Sequence, residues 1–160
     1  MSGKIIYPGT FDPITNGHVD LVERASRLFS QVIVAIGTNP QKHTLFSLTE
    51  REAIVHKVLG KYQNVEVCTF SGLLINLARD KKITMILRSF RAMSDFDYEL
   101  QLASVNRIMD PEVETVFLTP SEKYAYVSSS MVREIVSVGG DVSLFVPPEV
   151  QRALKNKLEV

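Results

Sequence analysis

The chain has 160 residues, of which 45% are hydrophobic and 22% are charged, and its 18 Lys and Arg residues balance 18 Asp and Glu residues. This composition argues against disorder, and the length suffices to bury a sizeable core, so one domain is predicted over residues 1–160. Zero net charge and the absence of any apolar run near the roughly 20 residues that span a membrane argue against nucleic-acid and membrane partners, so any anion site must be local.

The first predicted elements are a strand from Lys4 to Tyr7 and a helix in which apolar residues recur at helical spacing between Val19 and Phe29. The stretch between them, YPGTFDPITNGHVD at residues 7–20, contains glycine, proline and asparagine. These residues favour turns over regular structure. The stretch is therefore predicted to be a strand-to-helix turn.

This turn has features of an anion site. Gly9 permits close approach of a ligand to the backbone, and Thr10 offers a hydroxyl. Asn16 is suited to cap the following helix, whose first turn carries His18. The turn matches neither the dinucleotide fingerprint G-x-G-x-x-G nor the P-loop G-x-x-x-x-G-K-[ST], so the anion would be held differently.

The next predicted strand, Val32 to Ile36, is followed by the polar stretch Asn39 to His43. Ser47-Leu48-Thr49-Glu50 then has the form of a capping box, in which serine and glutamate satisfy free backbone amides reciprocally. A second helix is predicted from there to about Gly60.

Two more strands are predicted, from Val65 to Phe70 and from Met85 to Leu87. The single cysteine, Cys68, lies in the first of them and is expected to be an inert thiol. The second is followed by Arg88-Ser89-Phe90-Arg91. With no apolar signal region at the N-terminus, these features predict a cytoplasmic protein.

The last predicted strand, Thr115 to Leu118, leads to the stretch Tyr124 to Arg133, which opens a helix with three serines. Serine hydroxyls beside free backbone amides can cradle a phosphate, although most serine runs of this kind are ordinary caps. A final helix is predicted from Glu149 to Leu158.

Strands that alternate with helical segments predict an α/β fold: a Rossmann-like, doubly wound, five-stranded parallel sheet with helices on both faces. Ligands in such sheets sit beyond the carboxyl ends of the strands. Polar or cationic groups follow four of the predicted strands. Each stretch alone is typical of a solvated loop, but their joint placement favours one phosphate-binding site.

The sequence also resembles a known family. Thr15-Asn16-Gly17-His18 is similar to the T/H-x-G-H signature of the nucleotidyltransferase superfamily, and the stretch from Val127 to Arg133 is similar to its I-S-S-T-x-x-R signature. The longer run YPGTFDPITNGH, the stretch Arg88 to Arg91, the helix start at Asp95 to Glu99 and FVPPEV resemble bacterial phosphopantetheine adenylyltransferases. Ser89 departs from the glycine usual in that family, and Ser130 replaces a threonine.

The resemblance implies transfer of AMP from ATP to 4′-phosphopantetheine, which gives dephospho-coenzyme A and pyrophosphate in coenzyme A biosynthesis. It further implies Mg²⁺ carried mainly by the ATP phosphates, with no metal ligands from the protein, together with a homohexamer and coenzyme A as a feedback ligand. The expected catalytic residues are Thr10, His18 and Lys42. Phosphopantetheine is assigned to Thr10, Lys42, Leu74 and Arg88. ATP is assigned to Thr10, Phe11, His18, Ser89, Phe90, Arg91, Glu99, Tyr124, Ala125, Tyr126, Val127, Ser128, Ser129 and Ser130.

The chemistry of such a transfer agrees with the residues present. A phosphomonoester is largely a dianion at about pH 7 and needs no general base, which fits the absence of a nucleophile, base and orienter triad from the sequence. His18 is the best donor to the α-phosphate, and its protonation state is left open. His43 and His56 receive no role. Two alternatives remain: another phosphorylated acceptor, such as nicotinate mononucleotide or a phospho-alcohol, and a nucleotide-binding regulatory module without catalysis.

Overall fold

The computed structural model describes residues 3–158, so the four terminal residues of the predicted domain lie outside it. The strands are β1 (Lys4–Gly9), β2 (Gln31–Thr38), β3 (Val65–Ser71), β4 (Met85–Arg88) and β5 (Glu114–Phe117). The helices are α1 (Asn16–Leu28), α2 (Leu48–Leu59), α3 (Leu74–Lys81), α4 (Met93–Met109), α5 (Ser129–Ser137) and α6 (Pro148–Leu158), with a 3₁₀ turn at Glu122–Tyr124. Within residues 3–158, no helix has both the length and the apolar character needed to cross a membrane.

The five strands form one parallel sheet in the order β3-β2-β1-β4-β5. Ile6 of β1 pairs with Ile33 of β2 on one side and with Ile86 of β4 on the other. The chain therefore adds β2 and then β3 on one side of β1, and afterwards adds β4 and then β5 on the other side. This reversal leaves a crevice beyond the carboxyl ends of β1 and β4, where ligands bind in doubly wound sheets.

Helices cover both faces of the sheet because alternate strand residues point in opposite directions. Ile5 and Tyr7 belong to a core with α1, α2, α5 and α6, whereas Ile6 belongs to a second core with Ile75 and Ala78 of α3. The central strands β1, β2 and β4 contain consecutive buried apolar residues, as strands covered on both faces do, whereas the edge strands β3 and β5 are only partly buried. The predicted fold class is confirmed.

The helix starts agree with prediction in one case and differ in another. The capping box at α2 is present: Glu50 N donates to Ser47 Oγ at 3.2 Å, and Ser47 N donates to Glu50 Oε2 at 2.7 Å. The prediction that Asn16 caps α1 is wrong, because Thr15 is the cap and Asn16 is the first helical residue. Thr15 is favoured as the cap because His18, three residues later, completes a reciprocal capping box with it.

Candidate functional site

A cleft of about 500 Å³ lies beyond the carboxyl ends of β1 and β4. Its walls come from the turn after β1, the loop after β2, the end of β4 and the start of α5, which the sheet order brings together. The predicted site residues that line it are Thr10, Phe11, His18, Lys42, Arg88, Ser89, Arg91, Tyr124, Val127, Ser128, Ser129 and Ser130. The stretches that follow four strands of the sequence therefore meet in one place.

The other predicted site residues lie outside the cleft lining. Leu74 begins α3 and packs against the second core, and the Phe90 ring lies 5.3 Å from the Phe96 ring. Tyr126 is 84% exposed, and Ala125 ends the 3₁₀ turn. Glu99 is buried in α4. Ligand roles for these five residues stay predictions.

His18 is held as a hydrogen-bond donor. The backbone N–H of Thr15 donates to His18 Nδ1 at 2.9 Å, so Nδ1 carries no proton in this arrangement and the ring proton lies on Nε2. Burial, and then the charge of Arg91, lower the pKa of His18 to about 4. This pKa favours an uncharged imidazole at neutral pH, with an Nε2–H that can donate to a ligand.

Arg88, the last residue of β4, is paired with Glu99. Its Nε and Nη2 donate to the two carboxylate oxygens of Glu99 at 2.7 and 2.8 Å, in the bidentate geometry that favours arginine. Glu99 is the single buried residue of α4, all of which the structure describes. This pair holds the Arg88 guanidinium at the cleft wall. It also explains why Glu99 is charged yet buried in a helix whose other residues are exposed or only partly buried.

The three serines at the start of α5 have different partners. Ser128 caps the helix, since Met131 N donates to its Oγ at 3.1 Å, and Ser129 Oγ donates to Pro13 O at 2.8 Å. Ser130 is exposed and accepts a bond from Arg133 at 3.3 Å. All three hydroxyls thus have partners within the protein, and the Met131 amide is used by the cap. The backbone amides of Ser129 and Ser130 are the main groups of this helix start that are left for an anion.

Arg91 lies beside this helix start. Its Nη1 donates to Val127 O at 3.3 Å, and its Nε lies 3.7 Å from Asp95 Oδ2. The side chain remains exposed, so both its cationic charge and its unused donors face solvent at the cleft. The positive end of α5 and the Arg91 guanidinium together suit a polyphosphate.

Comparison with known proteins identifies the family of this chain. A family described as cytidylyltransferase-like matches residues 6–135, which include both signature stretches. This chain belongs to the cytidylyltransferase-like family. Membership places it in the nucleotidyltransferase superfamily, as the sequence resemblance implied.

Solved structures share the fold of this cytidylyltransferase-like chain. Nicotinic acid mononucleotide adenylyltransferase of Plasmodium falciparum, complexed with NaAD, is 14% identical with a TM-score of 0.74, over 100% of this chain and 97% of that one. A bifunctional NMN adenylyltransferase/ADP-ribose pyrophosphatase of Francisella tularensis, complexed with AMP and a manganese ion, is 15% identical with a TM-score of 0.72. That match covers 100% of this chain but 50% of the Francisella protein. Because the identities are this low, these matches show that the fold is shared and nothing further.

Sequence reasoning gave no individual role to three charged residues beside the cleft of this cytidylyltransferase-like chain: Asp12, Arg51 and Arg133, the last of which closes the second signature stretch. Asp12 and Arg51 are 2% and 4% exposed. A signal for Arg51 was available, because it shares the buried face of α2 with Val55, four residues later. Asp12 offered no such signal, since the turn that contains it has no periodicity.

Ser89, which stands where the resembled family has glycine, has a distinctive environment. Its Oγ is buried and has no hydrogen-bond partner among the described residues. Ser89 also lines the cleft. The cleft wall of this cytidylyltransferase-like chain thus accommodates a side chain at this position, and the hydroxyl is uncommitted within the protein.

Proposed function

We propose that the chain is an adenylyltransferase of coenzyme A biosynthesis that transfers AMP from ATP to 4′-phosphopantetheine and releases pyrophosphate. The observation that carries the transferase reaction is the meeting of a neutral His18 donor, Arg91 and the α5 N-terminus in one cleft with Lys42 and Arg88. The choice of phosphopantetheine rests on the sequence resemblance, most of all on YPGTFDPITNGH and the Arg88 to Arg91 stretch.

The reaction proposed here needs positioning and charge neutralisation more than proton transfer. A phosphate oxygen of the acceptor attacks the α-phosphorus of ATP, the new P–O bond forms, and the bond to the β-phosphate oxygen breaks to release pyrophosphate. His18 Nε2–H donates to the α-phosphate as charge builds on its oxygens. Thr10 orients the attacking phosphate, and Lys42 neutralises charge beside it.

A divalent cation fits this site as part of the ATP substrate. Within residues 3–158 there is no group of three or more His, Cys, Asp or Glu side chains arranged to hold a metal ion. Asp12 borders the cleft, but its two carboxylate oxygens accept bonds from backbone amides. The phosphates of ATP would therefore supply most of the ligands of a bound Mg²⁺, because the protein offers few.

The proposed function is tested by following pyrophosphate release with ATP and a panel of acceptors: 4′-phosphopantetheine, nicotinate mononucleotide, nicotinamide mononucleotide and glycerol phosphate. We expect turnover with 4′-phosphopantetheine at least about 100-fold faster than with the others, since an acceptor that leaves site groups unpaired is rejected strongly. Turnover with a mononucleotide instead would replace the proposed acceptor. Binding of ATP without turnover of any acceptor would favour a regulatory module.

The pH dependence of kcat/KM should follow the substrate and not a protein base. The second pKa of a phosphomonoester is near about 6, so the dianion is lost as the pH falls through that value. His18, with a pKa of about 4, stays neutral across this range. We expect the acid limb near about pH 6, and a phosphonate acceptor with a higher second pKa should move the limb upward. A limb that stays in place with the phosphonate, but vanishes on mutation of one side chain, would contradict a base-free mechanism.

We further propose that the chain assembles as a homohexamer and that α4 contributes to the interface. Apolar side chains of α4 are exposed, including Met93 and Ile108 at 81% each, Tyr98 at 60% and Val105 at 48%. Helical spacing places Tyr98, Val105 and Ile108 on one side of α4, and exposed apolar side chains grouped in this way are typical of an interaction site. We propose coenzyme A as a feedback ligand of the same cleft, because it contains both the phosphopantetheine arm and an adenine nucleotide.

The role of α4 can be tested with Ile108→Lys. Placing a charge within an apolar interface should shift sedimentation velocity from hexamer to smaller species at micromolar protein, since burying an unpaired charge is costly. Val138→Lys is the matched control, because Val138 is 83% exposed and lies after α5. Equal sedimentation of both variants and the unmodified chain would exclude Ile108 from the interface.

A further inference from the structure

Two buried charged residues, Asp12 and Arg51, have no part in the chemistry proposed above. They are 2% and 4% exposed. Burial of a charge is unfavourable unless polar groups compensate it. Here the compensation comes mostly from backbone groups of the segments that build the cleft.

Asp12 binds the end of the loop between β2 and α2. Leu45 N donates to Asp12 Oδ2 at 2.8 Å, and Phe46 N donates to Oδ1 at 2.9 Å. One carboxylate therefore holds two consecutive amides. Arg133 lies on the other side, with its Nη1 3.7 Å from Oδ2. Hydrogen bonds to a charged acceptor are shorter and stronger than neutral ones, so this end of the loop is firmly fixed.

Arg51 joins three further points of the backbone. Its Nη1 donates to Thr10 O at 2.8 Å and to Gly37 O at 3.0 Å, and its Nε donates to Phe46 O at 3.3 Å. These carbonyls belong to the turn after β1, the end of β2 and the residue before the α2 cap. The planar guanidinium is suited to span them because its donors have a fixed geometry.

The loop held in this way brings Lys42 to the cleft. Lys42 itself is exposed, and its backbone N–H donates within the loop to Asn39 O at 3.0 Å. Both ends of the loop, and Thr10 as well, are bonded to Asp12 or Arg51. A displacement of about 1 Å at a reacting group can reduce a rate by about 100-fold, so this anchoring matters for catalysis.

We propose that Asp12 and Arg51 are positioning residues that set the reach of Lys42 relative to Thr10 and His18. Neither residue acts on the reacting atoms directly, since their hydrogen bonds are made to the backbone. The inference rests on the proposed function for the role of Lys42. It adds two residues that the sequence resemblance does not assign.

A double-mutant cycle tests this proposal. Asp12→Asn places an amide NH₂ where a carboxylate oxygen accepted a backbone N–H, and it should lower kcat/KM by about 10-fold to 100-fold. The same change in a Lys42→Ala background should cost less than about twofold, because the group being positioned is gone. Equal losses in both backgrounds would overturn the proposal, since a general structural defect acts whether or not Lys42 is present.

Asp110→Asn is the matched control. Asp110 also accepts a bond from an arginine, Arg79 Nε at 2.8 Å, and one from a backbone amide, Glu112 N at 3.2 Å. It precedes β5 and so lies at the amino end of a strand, whereas the cleft lies beyond the carboxyl ends of the parallel strands. Its substitution should leave kcat/KM unchanged in both backgrounds.

Hydrogen exchange provides a readout without turnover. The Leu45 and Phe46 amides should exchange at least about 10-fold faster in Asp12→Asn, while the β2 amides keep their wild-type rates. Unchanged exchange at Leu45 and Phe46 would overturn the anchoring. If wild-type protein fails to turn over phosphopantetheine, the proposed function fails, yet the exchange result still decides whether Asp12 anchors the loop.

Arg51→Lys provides a second variant if Asp12→Asn does not fold. It keeps the positive charge, but a single ammonium cannot reproduce the fork that reaches three carbonyls. We expect the same pattern, a loss of about 10-fold in the wild-type background and less than twofold in Lys42→Ala. A loss of equal size in both backgrounds would again overturn the proposal.

Discussion

His18→Ala should lower kcat by about 10²-fold to 10³-fold, roughly 3 to 4 kcal/mol, with a much smaller change in KM for either substrate. The reason is geometric: Nδ1 is occupied by the Thr15 N–H, so Nε2–H is the ring donor available to the α-phosphate. A donor that acts as charge builds in the transition state affects kcat more than ground-state binding. Steady-state kinetics of pyrophosphate release measure the effect.

The controls for this substitution follow from the second contact of His18. Its ring also closes the capping box of α1, so alanine should cost up to about 1 kcal/mol of folding stability, which thermal unfolding will report. His56→Ala is the matched variant, because His56 lies exposed in the last turn of α2 and should leave kcat unchanged. An unchanged kcat in His18→Ala, with only KM raised, would mean that His18 serves binding alone.

Arg88→Ala should destabilise the fold by about 3 kcal/mol, because it leaves the Glu99 carboxylate buried without its partner. The Glu99 side chain is 9% exposed and the Arg88 side chain 23%, so we place the effect at the lower end of the range for buried pairs. Replacing both residues, as in Arg88→Met with Glu99→Met, should recover most of the loss, since no charge then remains buried. Chemical denaturation of the three proteins measures these differences.

Ligand affinity gives the same variant a second readout. Arg88→Ala should weaken phosphopantetheine by about 1.5 to 3 kcal/mol and ATP much less, whereas Arg91→Ala should do the reverse. Calorimetric titration with each ligand separately will distinguish them. Arg79→Ala, which removes an ion pair with Asp110 in which the Arg79 side chain is 54% exposed, should change stability by less than about 1 kcal/mol. If the double substitution recovers nothing, an unpaired Glu99 is not the cause of the loss.

The parts of this structure that local sequence determines were predictable. The five strands and the Ser47 to Glu50 capping box depend on apolar patterning and on residues three apart, and both were confirmed. The meeting of four loops followed from the general rule that parallel strands end at one edge of the sheet. The Thr15 cap was missed because the residue that completes it, His18, had been considered only as a ligand group.

The sequence did not predict the polar contacts between residues that are far apart in the chain. The bonds from Asp12 reach amides 33 and 34 residues away, and Arg51 bonds to Thr10 across 41 residues. No periodicity or local motif encodes such partners, since many donors and acceptors could satisfy one buried charge. Glu99 illustrates the same difficulty: the resemblance implies an ATP role for it, and only the three-dimensional structure revealed its pairing with Arg88 at the end of β4.

The strand order has a consequence for the folding process. Residues up to the end of β3 can assemble β1, β2 and β3 from neighbouring segments, but the cleft is incomplete until the later β4 pairs with β1 and α5 docks through Ser129 to Pro13. Partly folded chains that have formed only the first half therefore lack the α5 amides, Arg88 and Arg91. With ATP bound in this cleft, as proposed above, the fully assembled chain would bind nucleotide in preference to such intermediates, and we expect added ATP to favour completion of the sheet by mass action.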